Sequence, residues 1–149
     1  MNLFEESGGR MSGLDQLKSL IASGRRPPIG ETLKFDLTEV AEGRAVFEGT
    51  LGMHLYNPLG VVQGGYAAAL LDAACGCAVH ASLAAEQAYT TLELKIQYHR
   101  AMTIETGRVR AEGKVITLGR RVAFAEGRLT DASGRLYASA SSTLLVFAQ

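Results

Sequence analysis

Three things are scarce in this chain of 149 residues: cysteine, excess charge and uninterrupted hydrophobic sequence. There are two cysteines, Cys75 and Cys77, and two positions apart on a helix their side chains diverge. That excludes a disulfide between them, and a C-x-C pair with no second pair is a poor zinc signal. Both read as small core residues. Free thiols and the lack of a signal-peptide pattern lead to an expected cytoplasmic location. Fifteen basic and fifteen acidic residues cancel. A nucleic acid partner, which needs a basic patch, is therefore not expected. The longest apolar stretch, Leu59 to Ala85, is broken by Gly60, Gly64, Gly65, Asp72 and His80. A central Asp costs roughly 2.5–3.5 kcal/mol on membrane-insertion scales, so no membrane span is expected. Repeats and low-complexity runs are also lacking.

What is present is 47% hydrophobic residues, enough for a core without disulfides. The length fits one domain, divided here into residues 1–28, a tail with a short helix, and 29–149, the main domain. Met1 to Arg10 reads as a frayed tail. Ser12 to Ser23 carries Leu14, Leu17, Leu20 and Ile21 at helical spacing behind an N-cap serine. Ile29 to Val40 alternates as a strand, Glu42-Gly43 turns, and Arg44 to Leu51 returns as a second strand. Gly64 to about Leu83 is apolar nearly all round and reads as a helix buried on every side. Four strand-like segments follow: Thr90 to His99, Thr106 to Leu118, Val122 to Leu129 and Arg135 to Phe147. In the first, Leu92, Leu94, Ile96 and Tyr98 alternate against Thr91, Glu93, Lys95 and Gln97. One buried helix among antiparallel hairpins predicts an α+β fold in which the sheet curls round the helix.

The chemistry gathers at Gln63-Gly64-Gly65 and Asp72. An isolated carboxylate in an apolar helix is costly to keep. Asp72 reads either as an acid that caps or wets the helix, or as a general base or nucleophile. Gly64-Gly65 either lets the chain turn tightly or exposes first-turn N–H groups that polarise a carbonyl. Gly64 and Asp72 are eight positions apart, roughly 12 Å along a helix axis. One carbonyl carbon cannot lie within about 3 Å of both. If both act on one substrate they come from different chains, which predicts a site shared across a two-fold interface. Asn57 either places a water or substrate or forms an Asn-Pro turn. His54 and His80 lack a nucleophile partner fixed by spacing, and His80 reads as a satisfied helix-end residue. Arg120 and Arg121 in a hairpin turn suit a phosphate or simply solvent.

The stretch His54-Leu-Tyr-Asn57-Pro-Leu-Gly60-Val-Val-Gln63-Gly64-Gly65, followed by Leu70-Leu71-Asp72, resembles the hotdog-fold acyl-CoA thioesterases of the phenylacetate-degradation (PaaI-like) type. Those proteins carry an Asn, a Gly, then His-Gly-Gly, then an acid seven residues after the last Gly, the spacing of Asp72 from Gly65. Thr90-Thr91-Leu-Glu-Leu-Lys-Ile-Gln-Tyr98 and Gly119-Arg120-Arg121-Val-Ala are similar to the family's later strands. The likeness covers roughly residues 29–147. It implies a long helix wrapped by a curved antiparallel sheet, in homodimers whose sheets join or homotetramers built as dimers of dimers. It implies that the Gly64 N–H polarises a thioester carbonyl; Gly65, Tyr66, Arg120 and Arg121 are taken as candidate substrate-binding residues. Asp72 of the partner chain would act as base or nucleophile, Asn57 would place water or the acid, and Thr91 would assist. No metal or cofactor is implied. Tyr66, Leu70 and Phe47 are expected to line the acyl tunnel. Gln63 replaces the family's usual His. That departure keeps a binding-only acyl-CoA sensor as the alternative to hydrolysis, and ranks a dehydratase last.

Overall fold

A computed structural model describes residues 1–149. Its centre is α4 (Gly64–His80), held by a six-stranded, wholly antiparallel sheet. The strands are β1 (Phe35–Ala41), β2 (Arg44–Thr50), β3 (Gln87–Tyr98), β4 (Arg108–Leu118), β5 (Val122–Asp131) and β6 (Leu136–Ala148). Their spatial order is β1-β2-β4-β5-β6-β3, so β3, the strand after the helix, ends up at an edge. Three short helices precede the sheet: α1 (Leu3–Glu6), α2 (Gly13–Ser23) and α3 (Pro28–Leu33).

The sheet can wrap α4 because a row of small residues crosses it under the helix. Ala45 pairs with Gly113, Gly113 with Gly127, and Gly127 with Ala140. A Cβ at Gly113 would collide with the Ala74 carbonyl, and one at Gly127 would meet Leu71 Cδ2 and Cys75 Sγ at 3.0 and 3.2 Å. The helix backbone therefore rests almost directly on the strands. Around this seat Leu70, Leu71, Phe35, Phe47, Val109 and Leu129 are buried.

The amino-terminal segment departs from expectation in two places. Residues 28–33, read as the start of a strand, form α3 instead, and the strand begins only at Phe35. Pro28 sits in the first turn, where its fixed φ favours a helix. Lys34 at φ 59 then ends the helix in a left-handed cap. The segment expected to fray contains α1, capped by the Asn2 side chain. α2 forms as expected, with Ser12 accepting from the Asp15 N–H and Gly24 at φ 64 closing it. Its Leu17 and Leu20 are buried in the main core.

Two further corrections concern α4. It ends at His80, with residues 81 and 82 in a turn, and it is not buried on every side. Gly65 is exposed, and Ala68, Ala69, Asp72, Ala73 and Cys77 are half-buried. This small-residue face lies on the side of the edge strand β3, whose outer rim shows Leu92 and Tyr98 at 59% and 55% exposure.

One polar atom in the core has no partner. Tyr66 is 4% exposed, and its hydroxyl lies against Gly49 of β2 without a hydrogen bond. Burial pushes this phenol up to about 12. An unpaired buried hydroxyl costs about 1–3 kcal/mol, so Tyr66→Phe is expected to leave stability unchanged or raise it by about 1 kcal/mol. Urea denaturation measures this, and a loss of more than about 1 kcal/mol would show that the hydroxyl has a bonding partner.

Candidate active site

The first turn of α4 is open. Gln63 is its N-cap but makes no side-chain capping bond. Neither the Gly64 nor the Gly65 N–H has a hydrogen bond within the chain. Helix-start amides of this kind point outward and carry the positive end of the helix dipole. The approach to them is held by backbone bonds: Gln63 N–H donates to the Leu55 carbonyl at 2.8 Å and Val62 N–H to that of Met102 at 2.9 Å. Tyr98, at the end of β3, donates its hydroxyl to the Gly64 carbonyl at 2.8 Å. A cavity of about 360 Å³ opens here, lined by Val62, Gly64, Tyr98, His99, Arg100 and Met102 among others.

Asn57 serves the same loop. Its Oδ1 accepts from the N–H of Leu59 at 2.9 Å and of Val61 at 3.4 Å. This is the turn geometry of an Asn before Pro, and it leaves the side-chain NH2 without a bond in the chain.

Two turns along α4, Asp72 is half-buried and accepts a hydrogen bond from the Thr91 hydroxyl at 3.0 Å. Strict alternation would put Thr91 on the face opposite Leu94 and Ile96. A bulge between Thr91 and Glu93 takes up Leu92 and reverses that parity. Thr91 thus reaches the helix, while Leu94 and Ile96 still pack on the core.

The neighbouring thiols are inert. Burial, with the Asp72 charge adding to it, pushes Cys75 and Cys77 up to about 12, so neither supplies a thiolate near neutral pH. His80 closes α4 with Nε2 3.1 Å from Gln16 Oε1 and its ring edge-on to Tyr89. Burial lowers its pKa, which keeps it neutral. His54 is exposed in a single 3₁₀ turn, Met53–Leu55.

Within one chain, then, the residues singled out from the sequence separate into groups. Asn57, Gln63, Gly64 and Gly65 lie at the start of α4, and Asp72 with Thr91 lies farther along. Tyr66 points away into the core, as do Phe47 and Leu70, which are buried. Arg120 and Arg121 line a separate cavity of about 470 Å³ at the far end of β3. Arg121 is level with Tyr89, because its carbonyl accepts from Val146 N–H and Val146 pairs with Tyr89. Nine residues of strand separate that level from Tyr98, about 30 Å. Two contributors escaped the sequence reading as site residues: Tyr98, counted only as an alternating strand residue, and Arg100, in a stretch with no motif.

Residues 59–138, which hold Gly64, Asp72 and Thr91, match the family model described as thioesterase superfamily. The chain belongs to this superfamily. Solved structures show the same hotdog architecture. A conserved protein from Pseudomonas aeruginosa is 29% identical, with TM-score 0.76 over 82% of this chain and 95% of its own. A mutant of the phenylacetic acid degradation protein PaaI from Thermus thermophilus is 26% identical, with TM-score 0.73 over 80% of this chain and 98% of its own. A thioesterase from Haemophilus influenzae shares the fold at 20% identity and TM-score 0.78, over 89% of this chain and 90% of its own. No curated protein matches the chain. No helix of this thioesterase-superfamily chain is long and apolar enough to cross a membrane.

Proposed function

We propose that this protein hydrolyses acyl-CoA thioesters to a free acid and CoA, at a site made by two chains. The thioester carbonyl sits at the Gly64 N–H of one chain. Asp72 of the other, held by its own Thr91, acts on it as nucleophile or as general base on water. The observation that carries this reading is the pairing of open amides at Gly64 and Gly65 with a carboxylate held two turns away by a hydroxyl. These groups have the chemistry of a complete acyl-transfer site but are roughly 12 Å apart along one helix. A second chain, packed antiparallel against the small-residue face of α4, closes that gap. The exposed backbone edge of β3 suits the same association, since a free edge pairs readily with another strand. A tetramer would add a second pairing of such dimers.

A hydrolysis screen over short, medium, long and aromatic acyl-CoAs tests the activity, with oligomeric state measured in parallel. Turnover by a separated monomer would refute the shared site. Thr91→Ala is expected to slow hydrolysis about tenfold, because a hydrogen bond to a charged group contributes about 1.5–3 kcal/mol. A kcat unchanged from wild type would remove Thr91 from the mechanism. The alternative reading, an acyl-CoA-binding protein without turnover, rests on Gln63, which cannot titrate where the resembled family has His. Binding with no hydrolysis of any acyl-CoA in the screen would favour it.

A further inference from the structure

Phe47, Tyr66 and Leu70 fill the core of this chain, so no acyl tunnel runs past them between α4 and the sheet. An acyl group at Asp72 therefore lies on the open small-residue face of α4. Toward the start of the helix that face is taken by the second chain. If Asp72 of one chain serves Gly64 of the other, the two-fold axis passes beside Ala68, midway between them, and the two helices pack there. Only the opposite direction is left, past Ala73 toward Gly76 and Cys77.

That direction is closed after one turn. Tyr89 of β3 pairs with the buried Val146 and precedes Thr91 by two residues, so both side chains stand on the sheet face turned to the helix. The end of the Tyr89 ring rests on Gly76: a Cβ there would be 2.7 Å from its Oη and 3.0 Å from its Cε2. Burial raises the pKa of this phenol, and the nearby Cys77 and Asp72 add to the rise, so it stays neutral beside the carboxylate. His80 braces the ring edge-on, with centroids 5.8 Å apart, and is itself held by Gln16 at 3.1 Å. Beyond the ring the same line continues into space. His80 is one turn past Gly76, and Ala88 precedes Tyr89 in the strand. Both line a cavity of about 200 Å³ beneath α1, together with Leu3, Phe4, Gln16 and Tyr89 itself among others. Tyr89 thus separates the helix face that carries Asp72 from this cavity. Asp72 to Gly76 is four residues, about 6 Å along the axis.

We infer that Tyr89 is the end wall of the acyl site: its ring limits the groove to short acyl groups and shuts off the cavity behind it. This rests on the shared-site reading above and deepens it by naming the class of acyl group. A chain of a few carbons ends against the ring. A longer one needs the volume that the ring fills.

The ratio of kcat/KM for octanoyl-CoA to that for butyryl-CoA tests this. A ratio taken within one variant is unaffected by partial loss of folded protein. In wild type it is expected to be below about 0.1. Tyr89→Ala should raise it about tenfold or more, the order set by a methylene or two in an apolar pocket. Tyr89→Leu keeps an apolar side chain in the strand and should raise it by a smaller factor, which covers a failure of Tyr89→Ala to fold. Tyr89→Phe keeps the ring and should leave the ratio within about twofold of wild type. A wild-type preference for octanoyl-CoA, or a ratio unchanged in Tyr89→Leu and in any folded Tyr89→Ala, would overturn the proposal. So would a rise in Tyr89→Phe equal to that in Tyr89→Ala. If no acyl-CoA is cleaved, calorimetric titration with the S-butyl and S-octyl thioethers of CoA makes the same comparison. The expected length order there, in a protein without turnover, would uphold the end wall and refute the hydrolytic reading. Hydrolysis whose length dependence ignores Tyr89 would do the reverse.

Discussion

Asp72→Asn is expected to lower acyl-CoA hydrolysis by about a hundredfold or more while the fold and CoA binding persist. Asn has the shape of Asp, and its amide oxygen can still accept from the Thr91 hydroxyl, which lies 3.0 Å from Asp72 Oδ1. What is lost is the negative charge and the basic oxygen, which the proposed reaction needs and the fold does not. A kcat within about threefold of wild type would remove Asp72 from the chemistry. Subunit mixing asks whether the site is shared. Gly64→Pro deletes the N–H proposed to polarise the carbonyl, at a position where proline is tolerated, the first residue of α4. Gln63 before it already has the extended backbone, φ −58 and ψ 135, that a following proline requires. The Tyr98 ring end, 3.1 Å from a Cβ at Gly64, must shift slightly. Each variant alone should be inactive. Co-expressed in equal amounts, they should recover about a quarter of wild-type activity, since half the dimers are mixed and each holds one intact site. No recovery would mean that both groups act within one chain.

Gly113→Ala should have the largest effect on stability. The residue sits where β4 passes beneath α4, and an added methyl collides with the Ala74 carbonyl and the Cys75 N. These are backbone atoms in the middle of a helix, so no rotamer change relieves the clash. Either α4 lifts off the sheet or β4 bows away, and both open the contacts of Leu70, Leu71 and Val109. Overpacking of this kind costs about 3 kcal/mol or more. For a chain of this length that corresponds to a fall in Tm of about 10 °C. The midpoint of thermal unfolding measures it, and a fall of less than about 3 °C would show that the helix seat is softer than its geometry implies. Gly24→Ala provides contrast: nothing lies within 4 Å of a Cβ there, and only its φ of 64 opposes the change. It should cost about 1 kcal/mol.

The local chemistry of the chain determined where α4 begins, where Asp72 falls on it and where the hairpins turn. Gly43 and Gly134 have positive φ, a backbone state glycine adopts freely, so those turns are visible residue by residue. The helical placement of Gly64 and Asp72 required only the rise per residue, and for two groups acting on one substrate it implies two half-sites. Tertiary structure decided the rest. Thr91 faces Asp72 because a bulge at Leu92 shifts the register of β3 on β6, and a register belongs to the pair of strands, not to either alone. By sequence alternation Thr91 pointed away from the helix. Pro28 to Leu33 share their apolar pattern with the strand that follows, and only the left-handed turn at Lys34 separates them. Strand order is likewise non-local. Nothing within β3 says that it ends at the sheet edge with one face of α4 left open beside it. That placement turns a carboxylate and a pair of free amides on one helix into two incomplete sites that a second chain can complete.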